Sequence, residues 1–138
     1  MKKLSICFFM AIILSVSIAF ASPQHLNGDS NYIKCDAKQA YTYYVDAKTL
    51  NVEEYAPPKY QLAIDIVMVE NAEKGNTQIA NRLTRRYRYN WTTKQMFMLS
   101  SKGWVYLNPH GSRANGADKI EAGEIAFQLA YNMRFGAE

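Results

Sequence analysis

Four arginines crowd into the run Arg82-Leu83-Thr84-Arg85-Arg86-Tyr87-Arg88, which continues Tyr89-Asn90-Trp91. A guanidinium is always charged and presents a planar fork of donors that matches a carboxylate. Arginine and aromatic residues are also enriched at protein interfaces. On a regular strand Arg82, Arg86 and Arg88 leave from one face, with Arg86 and Arg88 spaced about 7 Å apart. Such a face has two uses. It can bind an acidic protein or a glycan. Alternatively it is a solvated surface whose arginines pair with carboxylates on neighbouring strands and discourage edge-to-edge aggregation.

Other chemistry is poorly supplied. Glu53, Glu54, Asp65 and Glu70 could in principle furnish the paired carboxylates of glycoside hydrolysis. Solvated strand faces carry such residues routinely, and sequence spacing does not pair them. His25, His110, Cys7 and Cys35 are too few for a metal centre or for a nucleophile with its base. His110 sits in a Pro-Gly turn, and no glycine-rich phosphate loop is present. These residues point away from an enzyme and call for no cofactor.

The N-terminus defines a compartment. Met1-Lys2-Lys3 precedes an apolar run from Leu4 to Phe20, and Ala19-Phe20-Ala21 then meets Ser22. A basic start, a short apolar middle and an Ala-x-Ala end describe a secretory signal peptide (1–21) cut between Ala21 and Ser22. The run is at the short end of the ~17–25 residues that span a bilayer, so no membrane span is expected after cleavage. Leu4-Ser5-Ile6-Cys7 is a poor lipobox, because Ile6 stands where a small residue is wanted and little apolar sequence precedes Cys7. With Lys2 and Lys3 removed from 16 basic residues, the balance against 12 acidic ones falls from +4 to +2, too little to suggest nucleic acid. Only Cys35 survives cleavage. It is either a small buried residue or the thiol of a disulfide-linked dimer.

The elements that must position the arginines are mostly strands. Residues 22–31 show no periodicity and read as a mobile leader before a single domain over 32–138. Tyr32 to Cys35 is a short strand. Tyr41 to Val45 and Leu50 to Tyr55 form a hairpin about the Asp46-Ala47-Lys48-Thr49 turn, and Pro57-Pro58 ends it. Tyr60 to Glu70 is the strongest strand, with Tyr60, Leu62, Ile64, Ile66 and Met68 on one apolar face. Thr77 to Trp91, Gln95 to Leu99 and Trp104 to Leu107 follow, and Asn108-Pro109-His110-Gly111 fits a type I turn. Asp118 and Glu121 resemble a capping box. From there Ala122, Ile125, Ala126, Leu129, Ala130 and Met133 recur at helical spacing. The helix is expected over 118–135, stopped by Gly136, with Ile125 and Leu129 on the strong strand. Gly123 either weakens it by about 1 kcal/mol relative to Ala or permits close packing. The predicted fold is α+β, an antiparallel meander of five to six strands with one C-terminal α-helix packed on one face.

The stretch Tyr43-Tyr44-Val45-Asp46-Ala47-Lys48-Thr49-Leu50 resembles the tyrosine-containing strand, Asp-x-x-Thr/Ser turn and following strand of the secreted surface-adhesin protein E family. The later order is similar too: a long apolar strand, an Arg/Tyr-rich strand and a C-terminal helix. The resemblance covers roughly residues 32–135. It implies a non-enzymatic, adhesin-like exported protein of the periplasm or cell surface, whose partner is a host-matrix or envelope macromolecule. A single mature cysteine puts any family disulfide out of reach. The alternative is a periplasmic module that holds a small ligand between helix and sheet, beneath Ile125, Leu129 and Met133.

Overall fold

A computed structural model describes residues 21–108 and 117–136. The segment expected as a signal peptide, up to residue 20, and the Pro109-His110-Gly111 part of the expected turn lie outside the described residues. Six strands lie in the sheet in the order of the sequence: β1 (Tyr32–Lys38), β2 (Tyr41–Ala56), β3 (Lys59–Glu70), β4 (Ile79–Asn90), β5 (Gln95–Ser100) and β6 (Gly103–Leu107). Every neighbouring pair is antiparallel. Helix α1 (Ala117–Tyr131) covers one face, giving the α+β meander expected from the sequence.

β3 is the spine. Tyr60, Leu62, Ile64 and Ile66 are buried beneath α1, while Met68 is only partly covered. Val67 and Val69 point the other way and are buried as well, in a smaller core with Leu26, Tyr44 and Ala72. The cover on that side is the segment expected as a leader. Pro23 O accepts a hydrogen bond from Tyr44 Oη at 2.7 Å, Gln24 O accepts from the Lys34 amide at 3.0 Å, and Leu26 is 4% exposed. Residues 22–31 are therefore docked, because Tyr44, Val67 and Val69 form an apolar patch that needs a lid.

Two sequence expectations change in detail. The Asp46–Thr49 segment does not reverse the chain. β2 runs on through it as one 16-residue strand, and the true hairpin turn is Pro57-Pro58, with Ala56 opposite Lys59. The local turn chemistry is present: the Lys48 amide donates to Asp46 Oδ1 and Thr49 Oγ1 donates to Asp46 O. It makes a bulge instead, because β3 is long enough to pair with both halves of β2. The register steps from Asp46–Asp65 to Asn51–Ala63, and Thr49 Oγ1 fills the gap by accepting from the Asp65 amide at 2.8 Å.

The second change is the rotation of α1. Its buried stripe is Ile120, Ala122, Gly123, Ala126 and Phe127, whereas Leu129 and Met133 are 39% and 43% exposed. Tyr87 and Tyr89 rise from β4 into the interface, with hydroxyls donating to the carbonyls of Lys119 (2.8 Å) and Gly123 (2.6 Å). Strand residues two apart thus match helix carbonyls one turn apart. Rings standing that high leave room only for small residues, so the helix turns its Ala/Gly stripe inward. Phe127 fills the space beside them, packing on Tyr60, Tyr89, Trp91, Tyr131 and Phe135. The helix starts one residue before Asp118 and stops at Tyr131, not at Gly136. Asn132 adopts φ 53°, which turns the chain back and seats Phe135 in the core.

Candidate binding site on the outer face of the sheet

The face turned away from α1 carries the polar side chains. Cross-strand partners share a face, so the register reads it row by row. In the first row Asp46 on β2, Asp65 on β3 and Thr84 on β4 stand side by side. Two carboxylates in direct opposition repel, and Arg82 resolves the conflict. Its Nη1 lies 2.8 Å from Asp46 Oδ2 and 3.2 Å from Asp65 Oδ2, while Thr84 Oγ1 donates to Asp65 Oδ1 at 2.6 Å. These contacts, the hydrogen bond to Asp46 foremost, hold the guanidinium charged even more firmly than in water. Asp46 is almost wholly buried, so this pair is part of the fold.

The next cation is Arg86. Its Nε meets Glu53 Oε2 at 3.2 Å, and Gln61 Nε2 donates to Glu53 Oε1 at 3.0 Å. Gln61 first, then Arg86, keeps the Glu53 carboxyl below its ordinary range despite partial burial. Glu53 reaches this position through a second β2 irregularity, where the register steps from Val52–Leu62 to Glu54–Gln61.

Arg88 is different. Its Nε donates to Gln61 Oε1 at 2.8 Å and its guanidinium lies 4.1 Å above the Trp104 ring, but among the described residues no carboxylate pairs with it. It sits at the middle of a row that crosses five strands: Glu54, Gln61, Arg88, Phe97 and Tyr106. At about 4.8 Å per strand the row is roughly 19 Å long. Phe97 and Tyr106 rings are 5.6 Å apart, and Tyr106 is 47% exposed. Beside the row, toward the Pro57-Pro58 turn, a hollow of about 320 Å³ is lined by Glu54, Lys59, Gln61, Arg88, Asn90 and Phe97. Lys59 also has no carboxylate partner among the described residues.

The three arginines expected to share a face do so, but they are not equivalent. Arg82 and Arg86 are neutralised within the sheet, as the solvated-face reading anticipates, and only Arg88 offers a charge outward. Asp65 is brought to Arg82. Glu54 is at the hollow, and Glu70 stands at the far end of β3. Gln61, Phe97 and Trp104 were not singled out by sequence, because their importance depends on a register that no local pattern prints. Ala21 and Ser22, the expected cleavage pair, begin the described chain, with Ser22 O accepting from Lys34 Nζ at 3.4 Å. Cys35 is 7% exposed, its thiol donating to Tyr43 O at 3.4 Å.

The helix–sheet interface is tight at Gly123. A Cβ on Gly123 would lie 2.6 Å from Met96 Sδ and 2.8 Å from Tyr87 Cε1. A second hollow of about 280 Å³ opens on the flank of α1, where Ile125 and Leu129 face Ile33 of β1 between Glu121, Glu124 and Arg134. Compared with family models, curated proteins and solved structures, the chain matches none of them.

Proposed function

We propose that this chain is an exported envelope or surface protein that performs no catalysis and holds a macromolecular partner against the outer face of its sheet. One observation carries the reading. Arg88 alone among the three outward arginines lacks a carboxylate partner among the described residues, yet Gln61 and Trp104 fix its guanidinium in place. A cation already oriented within an aromatic row loses little side-chain entropy when a partner arrives, and Arg with aromatic neighbours is the composition of interface hot spots. The signal-peptide pattern at 1–21 and the likeness to the protein E family support the exported, adhesin-like part. Asp46 and Asp65, a directly opposed carboxylate pair on this face, are consumed by Arg82 and Thr84, which speaks against acid–base work there.

The test is to present the purified protein to immobilised extracellular-matrix and envelope macromolecules at low and at physiological salt. Binding to at least one, weakened by salt, is the expected result. No binding to any of them would sink the adhesin reading.

A further inference from the structure

The hollow beside Arg88 has a chemistry more specific than a basic patch. Its two cations without a carboxylate partner among the described residues, Arg88 and Lys59, lie on the same face of adjacent strands: Lys59 directly follows the Pro57-Pro58 turn and opposes Asn90, and Arg88, two residues before Asn90, opposes Gln61. Between and around them stand two planar amides, Gln61 and Asn90, and one carboxylate, Glu54, which pairs with neither cation. Phe97 closes one side with a half-buried ring. The volume, about 320 Å³, is at the lower end of the ~300–1,000 Å³ of small-molecule sites, room for one compact unit of a larger chain.

We infer that this hollow takes a single carboxylate-bearing sugar residue, presented by an acidic glycan; the inference rests on the outer-face reading above and names its ligand. Each group then has a use. The Arg88 fork, steered by Gln61, receives the sugar carboxylate with two parallel hydrogen bonds, and Lys59 adds charge at the rim. Glu54 accepts from neighbouring hydroxyls, and Asn90, whose Oδ1 already accepts from the Thr93 amide at 3.1 Å, donates to them through its amide nitrogen. Phe97 offers an apolar platform to the C–H face of the ring. An acidic peptide would satisfy the cations but would leave Glu54 repelling its carboxylates and Phe97 without a partner. Glu54 is what favours a ligand that combines a carboxylate with hydroxyls.

The experiment titrates the purified protein with galacturonate tetrasaccharide, glucuronate tetrasaccharide and sialyllactose, with the carboxyl-reduced forms, and with an oligoglutamate peptide of matching charge. At least one acidic sugar should bind, its reduced form should bind at least tenfold more weakly, and Arg88→Gln should weaken it tenfold or more, the effect of one charge-assisted hydrogen bond. Phe97→Ala, with folding checked by circular dichroism, should weaken the sugar and leave oligoglutamate unaffected. If oligoglutamate binds as well as the sugars and loses as much with Arg88→Gln, the face reads charge alone. The glycan assignment then falls and the binding face stands. If none of the sugars binds while a macromolecule still depends on Arg88, the glycan assignment falls in the same way. If Arg88→Gln changes binding of nothing, both readings fall.

Discussion

The Tyr89 hydroxyl lies 2.6 Å from the carbonyl oxygen of Gly123, and no side chain at 123 intervenes. This contact, with the Tyr87 hydroxyl on Lys119 O one helical turn earlier, sets the height and rotation of α1. Gly123→Ala should therefore destabilise the protein by about 1–3 kcal/mol through overpacking, even though helix propensity alone favours Ala by about 1 kcal/mol. Urea denaturation gives the sign directly. A stabilised variant would mean that the helix does not approach β4 this closely.

Burial pushes the Tyr89 hydroxyl well above its ordinary pKa, and burial raises Tyr44 as well. For a group that ionises to an anion, a raised folded pKa means that the fold prefers the protonated form. The associated stability is complete below the unfolded value near pH 10 and drains away as pH rises beyond it. The protein should hold its stability through neutral pH and unfold in alkali. Tyr89→Phe should lose about 1 kcal/mol at pH 7 and show a shallower alkaline decline. Equal slopes above pH 10 for both proteins would show that Tyr89 does not govern that limb.

The Asp46–Arg82–Asp65 cluster makes a different demand. Removing the cation leaves two opposed carboxylates, one of them buried. Arg82→Ala should cost about 2 kcal/mol at pH 7, below the ~3–5 kcal/mol of a fully enclosed pair because Arg82 is partly exposed. Asp65→Asn in the same chain should recover part of the loss, because it removes one of the two opposed charges. No recovery in the double variant would contradict the cluster's electrostatic role.

Much of this architecture was legible because strand alternation is a local signal. Tyr60, Leu62, Ile64 and Ile66 marked the covered face of β3, and Arg82, Arg86 and Arg88 marked one face of β4. Which residue meets which was not legible. Register decides that Arg82 finds two carboxylates and Arg88 none, and register is fixed by bulges at Asp46–Asn51 and Val52–Glu54 that look like turns or plain strand in sequence. The phase of α1 was misread for a related reason. Ala122, Ala126, Leu129 and Met133 all lie within one broad apolar stripe, and the tyrosines beneath it select the small members, sending Leu129 to solvent. Residues 22–31 carry no period at all, so composition does not reveal their docking through the Leu26 side chain, the His25 ring on Tyr32 O and backbone carbonyls.

That docking has its own test. Leu26 is 4% exposed against Tyr44, Val67 and Val69, so Leu26→Ala should cost about 2–3 kcal/mol, in the lower part of the range for buried leucine. Amide hydrogen exchange should show Lys34, whose N–H reaches Gln24 O, losing protection in the variant. An unchanged midpoint of unfolding would return this segment to the status of a loose leader.

The most direct measurement of the outer face as a binding surface compares two arginines two residues apart. With whichever macromolecule the purified protein retains most strongly, affinity is measured for the parent, for Arg88→Gln and for Arg86→Gln at one salt concentration. Arg88→Gln should weaken binding tenfold or more, while Arg86→Gln, whose charge Glu53 already occupies, should change it by less than about threefold. Equal losses for the two, or none for Arg88, would contradict the assignment of this face.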